Sequence, residues 1–97
     1  MATLQQRVYN GDRARELIEN EIFQQVFIDI EEDLVGVWKK SPQRDVEARE
    51  RIHLALSMLG KIKACLQATL ETGTLARLDL QYQQTLMDRA KGLIGLQ

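Results

Sequence analysis

Small and apolar residues recur at intervals of four and three in the second half of the chain: Ala48, Ile52, Ala55, Leu59, Ile62, Leu66 and Thr69. This spacing keeps the side chains on one narrow face of an α-helix, as in the seam of a coiled coil. A run with the same rhythm lies upstream: Glu16, Asn20, Phe23, Phe27, Ile30, Leu34 and Val37. The pattern predicts two helices that pack against each other.

A short helix-breaking segment separates the two runs. Residues 41–45 contain Pro42, the only proline of the chain, and proline pushes the preceding residue out of helical geometry. Because the break is short, the two helices must fold back on each other. The sequence predicts an all-α protein with a long antiparallel helical hairpin, in which helix 1 covers residues 12–40 and helix 2 covers residues 45–72.

The amino-terminal end carries a turn signal before helix 1. Asn10 and Gly11 form a dipeptide that favours turns, and the following Asp12 is a suitable N-cap. Residues 1–11 are therefore predicted to be a flexible arm.

The carboxyl-terminal end carries a comparable signal after helix 2. Gly73 suits the left-handed position that follows a helix, and Thr74 can cap the next one. We expect a shorter third helix over residues 74–94 and a single helical domain over residues 1–97. The apolar face of this helix is formed by Leu75, Leu78, Tyr82, Leu86, Ala90 and Leu93.

More apolar surface is present than one hairpin interface can cover. Leu54, Met58 and Cys65 form a further strip on helix 2. Gly60 lies in the middle of that helix, where glycine costs about 1 kcal/mol relative to alanine, so we expect another helix to approach closely there. The chain is therefore predicted to form a homo-oligomer or to dock on a larger protein.

Composition and charge narrow the class of protein. The net charge is −1, and 28% of the residues are charged, so bulk charge gives no indication of nucleic-acid binding. No apolar run approaches the roughly 20 residues that cross a bilayer. The first residues lack the apolar core of a signal peptide, and the single cysteine fits a reducing compartment. These features predict no membrane partner and a location inside a cell.

The sequence offers little material for catalysis. His53 and Cys65 are the only residues of their types, and they are about 18 Å apart along one predicted helix. Glu31, Glu32 and Asp33 are consecutive, so their carboxylates diverge around the helix and do not converge on one ion. We expect no enzyme, no metal and no cofactor.

Five short segments carry a resemblance to a known group of proteins. They are Arg-Ala-Arg-Glu-Leu (13–17), Phe-Gln-Gln-Val-Phe (23–27), Trp-Lys-Lys-Ser-Pro-Gln-Arg-Asp (38–45), Ala-Arg-Glu-Arg-Ile (48–52) and Glu-Thr-Gly (71–73). Together they resemble small all-helical proteins encoded by tailed bacteriophages and prophages. The resemblance covers residues 13–73 and implies a location in the host cytoplasm or the virion. It implies no site residues.

Two hypotheses of function follow. The first is a non-enzymatic phage protein that acts through protein–protein contacts in virion assembly or as a minor virion component. The alternative is a small regulatory or DNA-packaging protein that contacts DNA or a host protein through the basic residues around the bend. Nucleic-acid binding is the less favoured reading because no helix-turn-helix pattern is present. The candidate interface residues are Trp38, Arg44, Arg49, Leu54, Met58, Tyr82 and Leu93.

Overall fold

The computed structural model describes residues 2–95, and every regular element in this range is an α-helix. Helix α1 spans Leu4–Glu19, α2 spans Glu21–Lys40, and α3 spans Val46–Gly95. The prediction of an all-α protein is confirmed. Met1, Leu96 and Gln97, which fall in or beyond the predicted terminal segments, lie outside the described residues.

Helix α3 determines the dimensions of the molecule. Its 50 residues correspond to about 75 Å at 1.5 Å per residue, and the chain measures 81 × 25 × 15 Å. The radius of gyration is 22.0 Å, whereas a compact domain of this length has about 12.5 Å. The molecule is therefore a rod, and most of its residues lie at the surface.

The first two helices are separated by a single residue, Asn20. Its backbone is extended, its side chain accepts a hydrogen bond from the amide of Phe23 at 2.9 Å, and its own amide donates to the carbonyl of Leu17. Asparagine is among the best N-cap residues because its side chain satisfies an amide that the helix leaves free. Asn20 thus closes α1 and opens α2.

The amino-terminal region differs from the sequence prediction. Leu4–Gly11 is helical, because Thr3 caps α1 by accepting from the amide of Gln6. The Asn10-Gly11 pair lies inside α1, and no glycine in the described range has a positive φ. The predicted continuous helix over residues 12–40 is instead interrupted at Asn20.

The bend between α2 and α3 lies where the sequence predicts it. The Ser41 hydroxyl donates to the carbonyl of Trp38 at 2.6 Å and so satisfies one of the free carbonyls at the end of α2. Asp45 caps α3 by accepting from the amide of Ala48 at 3.2 Å. Lys39 and Lys40 occupy the last turn of α2, where positive charge complements the helix dipole.

The predicted separation of helices 2 and 3 is wrong. Gly73 has no left-handed conformation, and α3 passes through it without a break. The glycine is buried against α1, so its role is to permit contact between helices and not to end one. Gly60 shows the opposite behaviour, because nothing outside its own helix lies within 4 Å of a Cβ added there. Within the chain, therefore, no other helix makes the expected close approach at Gly60.

Contacts along α3 involve partners of decreasing residue number. Lys63 lies 3.8 Å from the carboxylate of Glu31 in α2, and further along α3 Arg77 pairs with Asp12 in α1 at 2.8 Å. On α3 the predicted seam is buried or half-buried at every position except Ile62. The buried apolar side chains are few: Ala14, Phe27, Ile52 and Ala76. The core is therefore a thin line between α3 and the other two helices.

Candidate protein-interaction surface

A second line of residues follows α3 beside the seam, and at Ala68 and Thr72 it borders Arg7 and Asn10 of α1. Its positions are again spaced by four and three, and all twelve are exposed: Leu54, Met58, Lys61, Cys65, Ala68, Thr72, Leu75, Asp79, Tyr82, Leu86, Arg89 and Leu93. We call this line the outer strip. The four-three spacing holds it on one side of the helix, roughly 100° around the axis from the seam. Eight of its residues are apolar.

Four of the seven predicted interface residues lie on the outer strip. Leu54, Met58, Tyr82 and Leu93 are all strongly exposed, from 57% for Met58 to 73% for Leu93. Because α3 is continuous, residues that the sequence analysis assigned to two separate helices share one face. A largely apolar exposed face of this kind is a candidate interaction surface.

The other three predicted residues lie at the bend, where Arg49 is engaged within the chain. Its guanidinium carbon lies 4.3 Å from the centroid of the Trp38 ring. The same guanidinium donates to the carbonyl and the hydroxyl of Ser41 at 3.3 and 3.2 Å. These contacts hold the end of α2 against the start of α3. Arg44 is exposed in the turn.

A close helix–helix contact involves two glycines that are not among the predicted interface residues. A Cβ added at Gly11 would lie 2.8 Å from the Cα of Gly73 and 3.3 Å from the carbonyl oxygen of Thr69. One turn further along each helix, Ala14 and Ala76 are buried. Each helix therefore contributes a glycine followed three residues later by an alanine. This repeated Gly-x-x-Ala pattern can be read directly from the sequence.

An ion pair lies beside this crossing. One guanidinium nitrogen of Arg77 donates to both carboxylate oxygens of Asp12, at 2.8 and 2.9 Å. Both side chains are more than 40% exposed, so the pair contributes at most about 1 kcal/mol. Its role is to favour one alignment of α1 on α3.

A shallow groove opens where α1 passes into α2. It encloses about 410 Å³ and is lined by Ile18, Phe23, Gln24, Phe27, Ile28, Lys63 and Gln67. Phe23 and Phe27 pack on each other with ring centroids 4.8 Å apart, and the Lys63 ammonium lies 5.4 Å from the Phe27 ring centroid. Bulky side chains therefore separate α2 from α3, whereas glycine and alanine allow α1 to approach closely.

Metal-ligand residue types do not cluster in the part of the chain that the structure describes. No group of three or more histidine, cysteine, aspartate or glutamate side chains in residues 2–95 could hold a metal ion. His53 and the thiol of Cys65 are both exposed. Over the same residues, no helix is long and apolar enough to span a membrane.

Comparison with known proteins does not assign the chain to a family. No family model, curated protein or solved structure matches it. The candidate surface therefore rests on the residues of this chain alone.

Proposed function

We propose that this chain is a non-enzymatic protein that acts through protein–protein contacts, with the three helices arranged as an antiparallel hairpin scaffold. The outer strip is its main contact surface, and a second copy of the chain is one of its partners. The observation that carries this proposal is the exposure of all twelve strip positions along one continuous helix.

The accessible surface supports association. The chain exposes 7883 Å², whereas a compact monomer of its mass exposes about 5,700 Å². A stable protein–protein interface buries about 1,200–2,000 Å² from both partners together. The excess over a compact monomer is therefore large enough for at least one complete interface.

The resemblance of residues 13–73 to small phage proteins supports a more specific proposal about where the chain acts. The chain would act in virion assembly or as a minor virion component, in the host cytoplasm or in the particle, with itself or a phage structural protein as partner. A long rod with an apolar face suits this role because it can join subunits over a distance. Mass spectrometry of purified particles should then detect the chain, and its absence from both mature and immature particles would contradict this part of the proposal.

The alternative, a regulatory or packaging protein that contacts DNA, has less support. Two of the arginines around the bend are engaged within the chain: Arg49 stacks on Trp38, and Arg51 pairs with Glu47 at 2.7 Å. A titration with duplex DNA at two salt concentrations tests it. Phosphate contacts would give binding that weakens steeply as salt increases, and such binding would favour the alternative.

Light scattering on the purified chain tests self-association. We expect a dimer or larger oligomer at micromolar concentration. Leu75→Glu, which places a charge on the outer strip, should shift the chain toward monomer. Val46→Glu is the matched control, because Val46 is also apolar and exposed on α3 (60%, against 67% for Leu75) but lies off the strip. A wild-type chain that stays monomeric at 100 μM would refute self-association.

A further inference from the structure

We propose that two copies of this chain pair through their outer strips, antiparallel, about a two-fold axis that passes beside residue 70 of α3. This inference deepens the proposed function and rests on it. It specifies the partner as a second copy and the alignment of the two strips. A two-fold interface of this kind uses the same surface on both copies.

The alignment follows from placing the strip of one copy against the strip of a second copy that runs in the opposite direction. Around residue 70, each strip position faces another strip position, and every apolar residue from Leu54 to Leu86 faces an uncharged one. The facing pairs are Leu54 with Leu86, Met58 with Tyr82, Lys61 with Asp79, Cys65 with Leu75, and Ala68 with Thr72. Each pair occurs twice by symmetry. The small residues lie nearest the axis, where they allow the two helices to approach closely.

The charges on the strip identify this alignment. Lys61 and Asp79 are exposed, and neither takes part in an ion pair within the described residues. They are about 27 Å apart on the same helix, too far to pair within one chain. In the proposed dimer each lies opposite the other copy's opposite charge. A charged or polar residue within an apolar seam fixes the alignment of helical pairs, and complementary charges favour the correct partner.

The parallel pair and the antiparallel pairs shifted by seven residues leave charges opposed or unmatched. A parallel, in-register pair places Lys61 against Lys61 and Asp79 against Asp79, and like charges disfavour it. Shifting the antiparallel pair by seven residues in either direction places Asp79 against an apolar side chain, Ala68 or Leu54. Burying an unpaired carboxylate is costly.

A shorter antiparallel pair centred on residue 84 would place Asp79 opposite Arg89. It covers only the strip from Leu75 to Leu93 and leaves Leu54 and Met58 exposed. The pair centred on residue 70 covers the strip over about 48 Å. Beyond Leu86 in this alignment, Arg89 faces Arg51, and this contact between like charges marks the end of the pairing.

Disulfide trapping tests the alignment with two single-cysteine chains. In a Cys65→Ser background, one chain carries Ala68→Cys and the other carries Thr72→Cys. These positions face each other across the proposed axis. In contrast, residue 68 of one chain lies four residues, about 6 Å along the helix, from residue 68 of the other chain, and the same offset separates the two copies of residue 72. We expect the oxidised mixture to give the mixed disulfide at least tenfold over either like-with-like product. Mass spectrometry distinguishes the three products.

The outcomes separate this inference from the proposed function. Like-with-like products from each chain alone would indicate a parallel pair and overturn the antiparallel alignment. Absence of the mixed product from chains that still scatter light as dimers would overturn the alignment and leave the proposed function intact. Chains that remain monomeric at every concentration would overturn both this inference and the self-association on which it rests.

A charge exchange gives a second test that does not depend on cysteine. Lys61→Glu and Asp79→Lys should each raise the dimer dissociation constant by about tenfold or more, because each creates two like-charge contacts per dimer. The double variant should restore the wild-type constant within about threefold. Lys91→Glu is the control, because it makes the same charge change off the strip. A double variant as weak as the single ones would overturn the pairing of Lys61 with Asp79.

Discussion

Gly11 of α1 and Gly73 of α3 are so close that a Cβ added to either would lie 2.8 Å from the Cα of the other. A real Cβ does not tolerate such a distance, so both positions require glycine. Neither glycine has a positive φ, which means that the requirement comes from packing and not from backbone conformation. This contact determines where the first helix lies on the long one.

Replacing Gly73 with alanine should therefore destabilise the protein, although glycine-to-alanine changes inside helices usually stabilise by about 0.5–1 kcal/mol. The added methyl group would meet the Cα of Gly11 and the carbonyl oxygen of Arg7. Overpacking of this kind costs about 1–3 kcal/mol. Urea denaturation of the Gly73→Ala chain measures the change.

Gly60→Ala is the matched control, because nothing outside its own helix lies within 4 Å of a Cβ added there. It should stabilise the chain by about 0.5–1 kcal/mol through helix propensity alone. All urea denaturation curves should be recorded at one protein concentration, since association makes the apparent stability depend on concentration. If both variants change stability with the same sign, the close crossing at Gly73 is absent in solution.

A second prediction concerns the contact of α2 with α3. Phe27 is 9% exposed, packs on Phe23 and lies beneath the Lys63 ammonium. Phe27→Ala should lower the free energy of unfolding by about 3–5 kcal/mol, the usual range for a buried phenylalanine. Ile22→Ala serves as the control because Ile22 is 75% exposed on the same helix, and it should cost less than about 0.5 kcal/mol. Comparable losses in the two variants would show that α2 does not pack through Phe27.

The continuity of α3 can be predicted from the sequence. Beyond Thr69 the four-three rhythm of the seam continues without a break through Gly73, Ala76 and Leu80. Gly73 as a local helix terminator favours an end at this point, whereas the longer pattern favours a continuous helix. A glycine that falls on a seam position is better interpreted as a packing residue.

The outer strip is only partly predictable from the sequence when a helix end is placed at Gly73. The sequence pattern places Leu54 and Met58 on one predicted helix, and it places Leu75, Tyr82, Leu86 and Leu93 on another. Once α3 is continuous, all six fall into one four-three series. The wrong helix boundary at Gly73 thus hides the fact that the candidate residues share one helix face.

The local signal for the break at Asn20 is the asparagine itself, a favoured N-cap residue. Asn20 lies on a seam position of the predicted first helix, with no proline or glycine beside it. The break becomes understandable from packing, because α1 approaches α3 through Gly11 whereas α2 is separated from it by Phe27. The break at Asn20 allows α1 and α2 to pack on α3 at different separations.

Removing the cap at this break gives a third prediction. Asn20→Ala removes the side chain that accepts from the amide of Phe23, and it should cost about 1 kcal/mol. Asn20→Asp preserves the acceptor and should retain most of the stability. Asn10→Ala is the control, because Asn10 is exposed inside α1 and alanine is the better helix former there. If Asn20→Ala is as stable as the wild type by denaturant titration, α1 and α2 do not depend on this cap.

A fourth prediction addresses whether the basic bend is structural. Trp38 is the only tryptophan, so its fluorescence reports on the bend alone. Arg49→Lys keeps the charge but loses the planar group that stacks on the Trp38 ring and donates to Ser41, since lysine cannot reproduce that geometry. We expect altered Trp38 emission and a loss of about 1 kcal/mol in stability. Arg44→Lys, in the exposed turn, should leave both unchanged. If instead Arg49→Lys leaves emission and stability at wild-type values, the guanidinium does not close the bend, and Arg49 becomes available for an external partner.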